Sequence, residues 1–308
     1  MKIIYICFLV ILITSCSGTK RAIESVPDKT KEVEITTEKP DKVATTEPKS
    51  VNEIKDNNTA AEVTTEEDTK ELNKKQGDSI SDNVSLKQDI SKSEGYLHDL
   101  FDSLLQKHVS SDGKVSYKGF KNSHKELLDY IDVLTMLYPE LSKLSREDKL
   151  AYWINAYNSL TIDLILRNYP LKSIKDIKDP WDQRLWKFGD KWLNLNDIEH
   201  KILRKMNEPR IHFAIVCASE SCPKLLNEAF TADNLELQLT SVTKVFLSDT
   251  SKNEISEDNI KLSKIFKWFA KDFKNNGSLI DFLNQYTEVT ISNKAKKSFK
   301  DYDWSLNN

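Results

Sequence analysis

The sequence predicts an α+β fold, mainly helical around a small mixed or antiparallel β-sheet, preceded by a signal peptide and a disordered stalk. Three observations predict it. Residues 17–93 contain no Phe, Trp or Tyr, whereas all six Trp fall between Trp153 and Trp304. Residues 147–168 place Leu150, Trp153, Ile154, Tyr157, Leu160 and Leu164 on one stripe at helical spacing. Residues 211–217 form a short apolar run interrupted only by His212 and bounded by Arg210 and a polar turn, the pattern of a buried central strand.

The amino terminus reads as an address. Met1 and Lys2 precede an apolar run over 3–13, followed by the small residues Thr14, Ser15 and Cys16. This is the layout of a secretory signal, and the run is shorter than the roughly 20 residues a membrane span needs. Ile13, Thr14, Ser15 and Cys16 resemble a bacterial lipobox, which implies cleavage before Cys16 and acylation of its sulfur. The expected boundaries are a signal peptide over 1–15, the lipidated Cys16 and a tether over 16–93, and a folded domain over 94–308. By the same resemblance, Ser17 in place of Asp after the cysteine implies sorting to the outer membrane, so the lipid bilayer is the expected partner. The tether is rich in Lys, Glu and Thr and interrupted by Pro27, Pro40 and Pro48. Such a stretch buries too little apolar surface to offset an ordering cost of roughly 1–2 kcal/mol per residue. A formal net charge of −3 and a pI near 6.0 give no basic field for nucleic acid.

Within the domain, residues 97–105 carry apolar side chains at helical spacing, residues 110–113 signal a turn and 114–117 a short strand. A second amphipathic helix is expected over 125–137. Ser145 followed by Glu147 and Asp148 is an N-terminal helix signal for the long helix over 147–168, which the Tyr169–Pro170 pair terminates. Residues 186–193 read as a hairpin turning at Gly189 and Asp190. Asn194 or Asn196 caps a helix that carries Asp197, Glu199, His200 and Arg204. Further helices are expected over 234–247, 264–273 and 279–286, with strands over 260–263 and 289–291. The tail from Tyr302 to Leu306 is too aromatic to hang free and should dock on the core.

The densest chemistry lies in residues 210–223, where His212, Cys217 and Cys222 fall in so few positions. Asn155 and Asn158 share a face of the long helix in an apolar setting, where a buried amide must find partners. They serve either as a network pinning a neighbouring loop or as part of the site. With Cys7 removed and Cys16 acylated, Cys217 and Cys222 are the pair left to bridge in an oxidising compartment, and the sequence leaves open whether they do. His200, His212 and Glu199 show no recognised metal spacing, and no cofactor motif is present, so neither a metal nor a cofactor is expected. His98, His108 and His124 have no partner in view.

Several separated motifs resemble the domain of unknown function 547 family. They are Tyr152 to Asn158, Leu195 to His200 with Arg204, Pro209 to Phe213 running on to Cys217 and Cys222, Leu262 to Trp268, and Tyr302 to Asn307. The resemblance singles out Asn155, Asn158, Glu199, His200, Arg204, His212, Cys217 and Cys222 without giving them roles. Two functions compete. One is an envelope lipoprotein whose polar His/Cys/Asn site binds a small or peptide-like ligand, or an envelope protein. The other is a thiol hydrolase or acyl transferase in which Cys217, or alternatively Cys222, is the nucleophile, His212 the base and Glu199, or alternatively Asn155, the group that orients it, an arrangement like that of papain or transglutaminase. Asn155, Asn158, His200, Arg204 and Cys222 then form the surrounding shell.

Overall fold

The computed structural model describes residues 97–308; the expected signal peptide, the expected acylation site Cys16 and the expected tether lie outside them. The described part is about half helical with two small sheets, which bears out the α+β expectation. Helix α1 (Asp99–His108) packs on α2 (Tyr117–Asn122) and α3 (His124–Leu137), which in turn pack on the long helix α4 (Arg146–Asn168). Ser145 caps α4: its Oγ accepts the Asp148 N–H at 3.0 Å, and the Asp148 carboxylate accepts the Ser145 N–H in return. Every residue of α4 from Leu150 to Leu166 is buried. A helix enclosed on all sides is the core of the molecule rather than its surface.

The hairpin forms as expected, with β1 (Trp186–Phe188) antiparallel to β2 (Lys191–Leu193) and Gly189 at φ +57° in the turn. Downstream of it lie α5 (Ile211–Ala214), α6 (Leu235–Ser248), β3 (Glu254–Ile255), β4 (Asn259–Leu262), α7 (Ile265–Trp268), α8 (Leu279–Asn284) and β5 (Lys296–Phe299). The second sheet is mixed, in the order β3-β4-β5, antiparallel then parallel.

The central strand over 211–217 does not exist. Ile211–Ala214 is one helical turn, entered through Pro209; Ile215 leaves it extended, and residues 215–217 have no strand partner. A short buried apolar run has no period to distinguish helix from strand, because every side chain is enclosed either way. The backbone groups that a neighbouring strand would have satisfied are held by the α4 side chain Asn158: its Nδ2 donates to the Ala214 carbonyl and its Oδ1 accepts the Val216 N–H, both at 3.0 Å. The same device overturns the strand over 289–291. There the Asn284 amide donates to the Ile291 carbonyl at 3.1 Å and accepts its N–H at 2.8 Å. The strand over 114–117 shrinks to a bridge between Val109 and Val115, and Ser116 caps α2. The helix expected over 264–273 breaks after Trp268 and resumes as a single turn, Asp272–Lys274.

The aromatic tail docks as expected. The Tyr117 hydroxyl donates to Asn307 Oδ1 at 2.7 Å, and the Glu220 and Ser221 N–H groups donate to the carbonyls of Ser305 and Asp303. No helix among the described residues is long and apolar enough to cross a membrane.

Candidate functional site

Three segments meet against α4 to form one cleft of about 240 Å³. The first is a π-helical turn, Asp197–Ile202, which starts where Asn194 Oδ1 accepts the Asp197 N–H at 2.7 Å. Its wider winding presents Glu199 and His200 together to the cleft. The second is the run from α5 to Cys222, which supplies His212, Cys217 and Cys222. The third is the aromatic wall of Trp268, Phe269, Tyr302 and Trp304, joined by Trp181. Trp304 lies 4.6 Å from Tyr302 and 5.8 Å from both Trp268 and Trp181, ring centre to ring centre, so the wall is continuous. A larger cleft, about 310 Å³, opens beside His98, Asp148 and Tyr152, but no thiol lines it.

Cys217 is half-buried on the cleft wall, and Cys222 lies beneath it. Both are free thiols. Cys217 Sγ has Cys222 Sγ at 3.0 Å, Ser219 Oγ at 3.1 Å and the Tyr302 hydroxyl at 3.3 Å. The hydrogen bond from Cys222 lowers Cys217 to about 7; burial opposes this, and the Ser219 and Tyr302 hydroxyls add to it. Burial drives Cys222 the other way, well above an ordinary thiol, and the charge on Cys217 reinforces it. Of the pair, Cys217 is therefore the sulfur that ionises first, around neutrality, while Cys222 keeps its proton.

Glu199 is 7% exposed and accepts a hydrogen bond from the Tyr157 hydroxyl at 3.3 Å. Burial, reinforced by the charge on Cys217, pushes its carboxyl up to about 7, so near neutrality it is half protonated. Behind the cleft, Asp272 is the hub. It accepts Arg204 at 2.6 and 2.9 Å and His212 Nε2 at 2.8 Å. Burial alone would raise the Asp272 carboxyl; the hydrogen bonds from His212 and Arg204 outweigh it and hold the group below the usual carboxylate range. The Asp272 bond fixes His212 in the tautomer protonated at Nε2 and leaves the lone pair on Nδ1. Burial lowers His212 despite the carboxylate, so the ring is neutral near pH 7, stacked 4.0 Å from Phe269. His200 Nδ1 accepts from Arg204 at 3.1 Å, and burial together with that guanidinium lowers it too.

The structure thus brings Cys217, Cys222, Glu199, His200 and His212 into one cleft, with Arg204 behind them. Asn155 and Asn158 do not line it. Asn155 clamps the Phe230 backbone, donating to its carbonyl at 2.7 Å and accepting its N–H at 3.0 Å, as Asn158 clamps residues 214–216. Both are pins, the first of the two roles open for them. Glu199 does not orient His212; Asp272 does. The residues that sequence reasoning missed are Asp272, Tyr302 as a donor to sulfur, Ser219 and Tyr157. Asp272 stands 60 positions from His212, and no local pattern marks it. His98, His108 and His124 each have a partner, respectively Tyr130, Ser123 and the buried Asp163. Among the described residues no three His, Cys, Asp or Glu side chains converge as metal ligands.

Residues 141–247 match the family model described as "Protein of unknown function, DUF547", the family whose motifs the sequence resembles. That segment includes Asn155, Asn158, Glu199, His200, Arg204, His212, Cys217 and Cys222. It excludes Asp272 and the tail that delivers Tyr302. No curated protein and no solved structure matches the chain.

Proposed function

We propose that this DUF547 chain is a thiol-dependent hydrolase or acyl transferase of the bacterial cell envelope, held at the outer membrane by an acylated Cys16. One observation carries the enzymatic reading: a single cleft is lined by an acidified cysteine, a half-protonated buried carboxyl and a histidine locked by an aspartate. Cys217 attacks the carbonyl carbon of an ester, thioester or amide, and a bond forms from its sulfur as the carbonyl becomes an oxyanion. The leaving group departs with a proton from Glu199, leaving an acyl-cysteine. Water or an acceptor nucleophile then attacks the acyl carbon and gives its proton to His212 Nδ1, the carbon–sulfur bond breaks to release the Cys217 thiolate, and solvent carries the proton from His212 back to Glu199. The aromatic wall favours an apolar or flat acyl group. Unlike the nucleophile of papain-type enzymes, Cys217 follows a helical turn rather than starting a helix, so the likeness lies in the roles and not in the scaffold.

The test is a panel of acyl esters, thioesters and peptides given to the full-length protein and to Cys217→Ser. Turnover that Cys217→Ser abolishes, together with an acyl adduct mapped to Cys217 by mass spectrometry, supports the reading. Equal turnover by both proteins, or no adduct from any donor, overturns it. The binding reading rests on the aromatic wall. It gains if a ligand quenches tryptophan fluorescence equally in both proteins without turnover. For the anchor, Cys16→Ala should lose labelling by fatty acid and leave the membrane fraction; retention there refutes it.

A further inference from the structure

The acyl-transfer reading uses one sulfur and leaves the second unexplained. Cys222 is 5% exposed, yet its sulfur faces that of Cys217 at 3.0 Å and accepts the Cys217 backbone N–H at 2.9 Å. A buried cysteine serving only as packing needs no such alignment. The loop between the two is also fixed in advance. Ala218 sits in the left-handed region at φ +58°, the Glu220 and Ser221 N–H groups are held by the tail carbonyls of Ser305 and Asp303, and Ser221 Oγ accepts the Asp303 N–H at 2.8 Å. Joining the sulfurs therefore asks little reorganisation of the backbone. The two differ in exposure: both line the cleft, but Cys217 is half-buried and Cys222 is buried.

We propose that Cys217 and Cys222 are a dithiol–disulfide exchange couple, with Cys217 as the attacking and Cys222 as the resolving thiol. The co-reactant is an organic disulfide that enters along the aromatic wall. The Cys217 thiolate attacks one sulfur of that disulfide; a Cys217–S bond forms, the reagent's S–S bond breaks, and one thiolate leaves and takes a proton from water. Cys222 then gives up its proton to water and attacks Cys217 Sγ. The intramolecular S–S bond forms and the second thiolate departs. Two protein thiols are oxidised by two electrons, and the disulfide is reduced to two thiols. The reverse sequence reduces the couple. In the bridged state Cys217 cannot form the thiolate that acyl chemistry needs, so the couple also switches that reaction off. The exchange itself does not require acyl transfer to be correct.

The experiment equilibrates the full-length protein in mixtures of reduced and oxidised glutathione, traps free thiols with a maleimide, and maps the peptides holding positions 217 and 222. The expected result is a cross-linked 217–222 peptide that replaces both trapped thiols in one transition as the buffer becomes oxidising. In Cys222→Ser and Cys222→Ala, glutathione should accumulate on Cys217. In Cys217→Ser, Cys222 should react at least about tenfold more slowly, being buried and protonated. Two trapped thiols in the wild type across the whole range overturn the proposal, and so does a Cys222 that captures glutathione as fast as Cys217. The wild-type cross-link needs no variant to fold. A protein that cross-links but turns over no acyl donor upholds the couple and sinks the acyl-transfer reading; turnover without a cross-link does the opposite.

Discussion

Asn158→Ala is the sharpest probe of how this site is built. The side chain makes two hydrogen bonds of 3.0 Å to a segment with no other partner for those groups, the Ala214 carbonyl and the Val216 N–H. Both residues are buried, at 2% and 3% exposure, so bulk water does not replace the lost amide. Each orphaned buried group costs about 1–3 kcal/mol, hence about 2–6 kcal/mol together. For a domain of this size about 1 kcal/mol moves Tm by roughly 2–4 °C, so a fall of roughly 4–24 °C is expected in thermal unfolding followed by circular dichroism. The freed segment runs directly into Cys217, so iodoacetamide labelling of Cys217 should change severalfold well below the new Tm. Asn155→Ala is the matched control. It orphans the two Phe230 backbone groups and should lose similar stability, but Phe230 does not line the cleft and labelling should hold. Asn158→Asp keeps the acceptor and turns the donor into a lone pair facing a carbonyl; its loss should shrink as pH falls and the carboxyl regains a proton. A Tm for Asn158→Ala within about 1 °C of wild type, or labelling that responds alike in the two alanine variants, refutes the reasoning.

Three other outcomes follow from the same geometry. Tyr302→Phe removes a donor to the Cys217 thiolate, and a hydrogen bond to charge is worth about 1.5–3 kcal/mol; the midpoint of the labelling rate against pH should rise from about 7 by roughly one unit or more, and an unchanged or lower midpoint counts against the contact. Glu199 has its carboxyl raised to about 7 from an ordinary 4.5, so the stability associated with its neutral form is fully present below about 4.5 and lost as pH rises through about 7. At about 1.4 kcal/mol per pH unit that is about 3 kcal/mol, and urea denaturation at pH 5 and pH 8 should show Glu199→Gln missing this part of the wild-type slope; identical slopes would be the contrary result. Asp163, fully buried in α4, accepts His124 at 2.8 Å, Arg167 at 2.7 Å and the Trp186 indole at 2.7 Å. Asp163→Asn should therefore cost about 3–5 kcal/mol by calorimetry while leaving Cys217 labelling alone.

What the sequence made legible follows from what is local. The long helix carries its own start signal at Ser145 and its own stop at Pro170, and its apolar stripe from Leu150 to Leu164 repeats for about four turns. The hairpin needs only Gly189 and Asp190 between matched strands. The tail announces its burial through Tyr302 and Trp304. Of the site, the sequence gives up the members that crowd together, namely His212, Cys217 and Cys222 in one run and Glu199 beside His200. It conceals Asp272, because a carboxylate on a short helical break looks like any surface acid until the chain folds it against His212. It conceals the donor role of Tyr302 for the same reason.

The two strand errors share a cause, and the cause bears on function. Apolar runs at 211–217 and 289–291 look like strands because they must be buried and their backbones must be satisfied. In a sheet, neighbouring strands do both. Here asparagine amides do the second task, Asn158 for one run and Asn284 for the other, while Asn253 bonds the Phe246 carbonyl and the Ser263 N–H in the same manner. An amide presents one donor and one acceptor side by side, as a peptide unit does, so it replaces a strand neighbour at a single point. A strand pairs along its whole length and keeps its side chains alternating. A point clamp frees the chain immediately beyond it, and just past Val216 the backbone swings through Ala218 at positive φ and turns Cys217 back over Cys222. A continuous ladder through residue 217 would have held that turn extended and kept the sulfurs apart. The buried asparagines of α4 are thus not spectators of the cleft: without chemistry of their own, one of them allows the two thiols to meet.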